Sequence, residues 1–232
     1  MALTNKLTAI ADAIRGKTGK TEEMTLDAMA EAIESIETGG GGGDLDAFIE
    51  GNINKDFASN ATKARAYLLQ NANIETLSMP YATELGARFC YGCSNLKSIS
   101  IPKASMLLGN TFTNCKGLTE IYLPALTYLG NMDFDGCSNL KKADIGGELR
   151  TVGAANFRSC TVFDTLILRR TNVVGMANVS AFASSPFASG GTGGTVYVPS
   201  ALIESYKTAT NWSTLYAAGT CNFVAIEGSE YE

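Results

Sequence analysis

Cys90-Tyr91-Gly92-Cys93 has the spacing of a redox dithiol, or of half a zinc site. Cys93 also opens a second pattern, Cys93, Cys115, Cys137 and Cys160, at intervals of 22, 22 and 23 residues. That ladder leaves Cys90 incidental, and a zinc site would need two more ligands from a chain without histidine. The sequence therefore predicts cysteines packed as small apolar groups, one per repeat, and no ladder disulfides, because pairing equivalent positions would strain the stacking. Gly16-Lys17-Thr18-Gly19-Lys20-Thr21 contains Gly-Lys-Thr twice, but Ala11 and Ile14 stand where a phosphate-binding loop needs its leading glycine. Ser189-Gly190-Gly191-Thr192-Gly193-Gly194 leads into the strand-like Val196-Tyr197-Val198, not a helix, so a mobile loop is expected there and not a phosphate cradle. The 23 Asp and Glu residues could in principle supply a glycosidase pair, yet nothing in the pattern sets two of them in a cleft. Without histidine there is no Ser-His-Asp or Cys-His nucleophile and no histidine base. No catalytic, cofactor or metal residue is predicted, and the expectation is a non-enzymatic protein.

What remains is binding, and the charge balance narrows it. Eighteen Lys and Arg against 23 acids give a net charge of −5, which disfavours nucleic acid as a partner. No apolar run reaches the length of a membrane span, so no membrane insertion is expected. The start, MALTNKLTAI, has no basic stretch leading into an apolar one, so synthesis in a cytoplasm with reduced cysteines is expected. At 45% hydrophobic residues the chain can bury a real core.

Residues 39–43 are five consecutive glycines, which lose too much backbone entropy on ordering to hold a helix or strand. They read as a hinge between a head, 1–38, and a body. In the head, Leu3, Leu7, Ile10 and Ile14 keep helical spacing until Gly16 and Gly19. Thr25 is a candidate N-cap for a second helix carrying Leu26, Met29, Ile33 and Ile36 on one face. Two helices this short bury too little to stand alone, so the head is expected to dock on a partner or to oligomerise.

The body repeats. Phe89, Phe112, Phe134 and Phe157 keep step with the cysteines, and Leu96, Leu118, Leu140 and Phe163 follow each cysteine by three residues. Gly86, Gly109, Gly130 and Gly153 precede each phenylalanine by three or four residues, and Pro80, Pro102 and Pro124 close the apolar alternations. Tyr67, Asn71 and Ile74 form a degenerate first copy, and Gly146 and Arg169 replace the proline in the fourth. A period of 22 or 23 predicts a right-handed solenoid over 44–194, its strands stacked in one parallel sheet and the rest of each coil returning the chain. In that return the glycine is expected at a tight bend. Residues 195–232 are expected to close the end.

Strand alternation then names the side chains that face outward. They are Ser98 and Ser100, Glu120 and Tyr122, Lys142 and Asp144, Thr165 and Ile167, and Thr195 and Tyr197, with Thr76 and Ser78 one coil earlier. These positions vary from copy to copy while the inward ones do not, as a recognition surface on a fixed scaffold would. Tyr122 and Tyr197 are the candidate anchors, and Glu120, Lys142 and Asp144 the polar contacts. A sugar or a protein would suit the mixture. An idle solvated face, or one packed on another subunit, are the plainer readings.

The pattern F-x-x-C-x-x-L-x-x-I-x-I-P resembles BspA-type leucine-rich repeats, and Val196 to Lys207 with Asn211-Trp212-Ser213 resembles the C-terminal cap of such proteins. The resemblance implies an α/β solenoid that serves as a binding surface. The stretch LTAIADAIRGKTGKTEEMTLDAMAEAIESI before the glycine run is similar to the N-terminal segment of tail and baseplate-associated proteins of phages that infect Gram-positive bacteria. It implies a virion component, anchored to other virion proteins through residues 1–38, whose body binds a bacterial surface protein or glycan or another virion protein. A homo-oligomer fits the same reading. A bacterial surface adhesin and a wall-polymer hydrolase are the alternatives.

Overall fold

The structure is a computed structural model that describes residues 56–232, all within one compact unit, Ile53–Glu232. The expected helical pair at 1–38 and the hinge at 39–43 lie outside the described residues.

Each coil contributes two strands, so the chain builds two parallel rows in place of the single sheet expected. The first row holds β1 (Asp56–Ala58), β3 (Thr76–Ser78), β5 (Ser98–Ser100), β7 (Glu120–Leu123), β9 (Lys142–Ile145), β11 (Thr165–Leu168), β13 (Gly194–Val198) and β14 (Cys221–Ala225). Its strands pair as β1-β3-β5 and as β14-β13-β11-β9-β7. The second row holds β2 (Lys63–Ala64), β4 (Glu84–Leu85), β6 (Met106–Leu107) and β8 (Tyr128–Leu129) in one sheet, with β10 (Thr151–Val152) and β12 (Gly175–Met176) in another. Two-residue strands carry one buried and one outward side chain each, too little alternation to read in a sequence. Among the described residues α-helix is confined to the cap, where α1 (Ile203–Thr208) and α2 (Trp212–Ala217) follow β13, and the coils before it hold one 3-10 turn, Val179–Phe182. The described coils are therefore a β-solenoid, and the expected α/β label does not describe them.

The interior is a set of columns. Phe89, Phe112, Phe134 and Phe157 are fully buried. The Phe112 and Phe134 rings stack at 5.6 Å, and those of Phe134 and Phe157 at 5.8 Å. Phe182 continues the column, 5.7 Å from Phe157, although it sits 25 residues on, outside the period. The cysteines form a second column and are free and buried. They are more than apolar filler: the thiols of Cys93, Cys115, Cys137 and Cys160 donate to Leu69 O, Cys90 O, Phe112 O and Phe134 O at 2.9–3.1 Å. Each such bond ties a coil to an earlier one, and burial pushes the Cys160 thiol up to about 12. Burial also raises Cys90 well above the ordinary thiol range, which disfavours the thiolate that redox chemistry at Cys90-x-x-Cys93 would need.

Two left-handed residues per coil let the chain turn. One series runs Tyr67, Arg88, Asn110, Met132 and Ala155, the other Asn71, Gly92, Asn114, Gly136 and Ser159, with φ between 53° and 76°. Asn and Gly tolerate that region best, and they dominate the second series. At Gly136 a Cβ would also run into Asn114 Oδ1 of the preceding coil. Gly130 works differently from the tight bend expected: its φ is ordinary, and a Cβ there would lie 2.6 Å from Gly109 N, so it is glycine because two coils touch.

The cap closes the end of the stack with aromatic side chains. Trp212 and Tyr206 are fully buried. Trp212 Nε1 donates to Val174 O at 2.7 Å, and Val174 N donates to the Tyr206 hydroxyl at 2.8 Å, so both backbone groups of one residue in the last coil are satisfied by cap side chains. The glycine-rich segment expected to be a mobile loop is a bonded turn: Gly191 N reaches Ala188 O at 2.8 Å, and Gly193 N reaches Pro186 O at 2.9 Å.

Candidate functional site

The outward side chains of the first row share one face because the strands stack in register. Glu120, Lys142, Thr165 and Thr195 stand side by side, and Tyr122, Asp144, Ile167 and Tyr197 form the next line. Ser98 and Ser100 face the same way one coil earlier, paired with Thr76 and Ser78. Inward neighbours such as Ile121, Leu123, Ala143 and Ile145 are buried in the core, so the alternation that fixes the fold also sets the direction of the site.

Two adjoining clefts open on this face. The larger, about 590 Å3, runs from Thr119 and Glu120 past Lys142 and Thr165 to Tyr197 and Tyr231. The second, about 400 Å3, extends past Tyr122 and Asp144 to Ser98 and Lys97, and both share Thr119, Glu120 and Lys142. Ser98, Glu120, Tyr122, Lys142, Asp144, Thr165 and Tyr197 all line one or both clefts. Ser100 is exposed on the same strand but lines neither.

Ile167 is the correction. It points outward by alternation, yet it is fully buried. Its register neighbours explain this. Asp144, on one side, holds the Arg169 guanidinium by two bonds of 2.8 Å. Tyr197, on the other, meets the Tyr231 ring edge-on at 4.7 Å. These groups shield the isoleucine, and it belongs to the scaffold of the face, not to its contact surface.

The cations on the face are paired, apart from Lys141. Lys142 Nζ lies 2.7 Å from Glu120 and also sits over the Tyr231 ring at 5.8 Å. The hydrogen bond to Glu120 holds Lys142 above its ordinary range, as the bond to Asp144 does for Arg169. Lys97, at the far end, is 2.6 Å from Glu75. Asp164 accepts the Thr165 hydroxyl at 2.8 Å.

Sequence reasoning missed Tyr231, Glu230, Arg169, Thr119 and Lys141. The two C-terminal residues lie beyond the last strand and carry no periodic signal. Arg169 was visible as the residue replacing a proline, which in this structure frees that position to pair with Asp144.

One titratable group lies elsewhere. Asp133 is the single charged residue in the core of the described residues. Its Oδ1 accepts Gly109 N and Thr111 N, both at 3.0 Å. No hydrogen bond of normal geometry reaches Asp133 Oδ2 or Thr111 Oγ1, though the threonine hydroxyl is near enough to favour the charged form. Burial outweighs these contacts and pushes the carboxyl up to about 6. One coil on, Asn156 takes the same place before the phenylalanine and is fully bonded, accepting Asp133 N and donating to Gly130 O.

Among the described residues no group of acids and cysteines is arranged to hold a metal ion, and no helix is long and apolar enough to cross a membrane. The BspA type leucine rich repeat region, in six copies, matches residues 52–125 and 83–189, more than half of the chain. The chain belongs to this family. No curated protein matches it. For a leucine-rich repeat protein built this way, the outer face is where sequence varies on a constant scaffold, and its role falls in the range of protein interaction or surface adhesion.

Proposed function

We propose that this leucine-rich repeat chain is a non-enzymatic binding protein of a phage particle. Residues 1–38 anchor it to tail or baseplate proteins, and the outer face of the first strand row engages a bacterial surface molecule or a second virion protein. The observation that carries the binding half is the pair of clefts: residues chosen only for lying outside the core converge on one continuous polar surface. The virion half rests on the similarity of residues 7–36, with the glycine run after them, to tail-associated N-terminal segments. The face carries ion pairs already closed on themselves, Lys142 with Glu120 and Arg169 with Asp144, and such pairs suit orientation of a ligand better than proton transfer.

Gold-labelled antibody against the body, applied to purified particles from cells that express the gene, is expected to decorate tails. Label confined to the bacterial surface would replace this reading with that of a surface adhesin. Release of sugar from cell-wall polymer by the purified chain would replace it with a hydrolase.

A further inference from the structure

We infer that the two clefts form one furrow for an uncharged polysaccharide chain, an inference that rests on the binding role proposed for this face. The furrow crosses β5, β7, β9, β11 and β13, four strand spacings, or roughly 19 Å at about 4.8 Å each. That is room for a short run of linked sugar rings laid across the strands. Three features of the lining choose this occupant.

The first is its hydrogen-bonding inventory. Hydroxyls from Thr119, Thr165, Thr195, Tyr197 and Tyr231 line the larger cleft, and each can both donate and accept, as a sugar hydroxyl does. Carboxylates add acceptors able to take two neighbouring hydroxyls at once. From β7 to β14 the strand backbones are bonded to one another, so across the larger cleft a peptide would find no free sheet edge to pair with.

The second is charge. An anionic chain needs free cations, and three of the four cations on this face are closed, Lys142 on Glu120, Arg169 on Asp144 and Lys97 on Glu75, which leaves Lys141 alone to meet it. An anion would have to break those pairs and also meet Asp164 and Glu230. A neutral ligand disturbs none of them.

The third is the placement of aromatic surface. In the larger cleft the aromatic surface is that of the Tyr197 and Tyr231 rings, which meet at 74° and make a corner. Tyr122, 59% exposed, stands three strands away in the same register line. Two ring platforms with a polar floor between them fit the C–H faces and hydroxyl edges of a saccharide, whereas a peptide would need apolar pockets for its side chains.

The test is a printed glycan array carrying neutral, sulfated and uronic-acid chains beside a peptide array, probed with the full chain and followed by calorimetry on the best neutral hexasaccharide. Binding to neutral chains is expected, weakened at least about tenfold by Tyr231→Ala and by Tyr122→Ala, each an exposed or C-terminal ring whose loss leaves thermal unfolding in place. No binding to any neutral chain, preference for the charged chains or the peptides, or binding unchanged in both variants would each overturn the inference. Adhesion of the chain to bacterial cells separates the two levels. Adhesion that excess neutral oligosaccharide leaves intact removes the sugar but keeps the binding face, and adhesion that survives Tyr122→Ala and Asp144→Ala together removes the face as well.

Discussion

The interior columns and the outer face come from the same strands but answer to different rules. Inside, each coil must match the coil before it, so Phe lies on Phe and Cys below Cys, with ring separations near 5.7 Å. Outside, a side chain needs to match only its lateral neighbours and solvent, and Ser98, Glu120, Lys142 and Thr165 succeed one another at equivalent positions. Stacking imposes repetition inward and permits variety outward. The largest mutational effects should therefore fall on columns and the smallest on the face.

Phe134→Ala is the sharpest way to break that contrast. The ring is fully buried between Phe112 and Phe157, and the coils on either side are held apart by their own backbones, so the cavity cannot collapse. The expected loss is about 3–5 kcal/mol, read by urea unfolding. A loss no greater than that of Tyr122→Ala would mean that the columns do not carry the stability.

Asp133→Asn tests a column position where the match is imperfect, and its effect has the opposite sign. The buried carboxyl titrates near 6 in the folded chain against 3.8 in the open one. Protonated in both states below about pH 4, it costs nothing there. As pH rises through that window the unfolded chain ionises first, so stability is lost up to about pH 6 and stays lost above it. The full penalty is roughly 3 kcal/mol at neutral pH. Asn keeps the Oδ1 acceptor for Gly109 N and Thr111 N, turns an N–H₂ toward the unpartnered Thr111 Oγ1, and repeats the residue used at Asn156. The variant should match the parent near pH 4 and gain on it up to pH 6, by urea unfolding at each pH. A constant difference across that range would remove the titration of Asp133 as the cause.

Legibility in the sequence follows the same division. The columns were readable because Phe, Cys and Leu recur at a fixed interval, and the outward residues followed by alternation from them. The second strand row was not readable, since Glu84–Leu85 or Tyr128–Leu129 is too short to show a period. Phe182 was missed because the last coil is two residues longer, and Tyr231 because the tail obeys no repeat. Ile167 was misassigned for a physical reason: alternation gives direction, whereas exposure depends on what the neighbours do, and here Asp144 and Tyr197 flank it, each bearing a large partner.

Ile167→Ala against Tyr122→Ala sharpens the comparison within a single register line. Both point outward, but only the isoleucine is buried. Its truncation should cost about 2 kcal/mol, the low end for a buried isoleucine, because the covering side chains can settle inward. Tyr122→Ala should stay within about 0.5 kcal/mol by thermal unfolding. Equal effects would show that direction, not cover, decides what a residue on this face contributes.

The smallest effect belongs to the ion pair at the centre of the furrow. Lys142 and Glu120 are 2.7 Å apart, but their side chains remain 34% and 64% exposed, so water screens the attraction. A double-mutant cycle with Lys142→Ala and Glu120→Ala should give a stability coupling below about 1 kcal/mol, shrinking further in salt. A coupling of several kcal/mol that survives high salt would place the pair among the groups that hold the fold. The outer face would then share the work of the columns, and the clean separation between a repeating interior and a freely varying exterior would fail at the residues where binding is proposed.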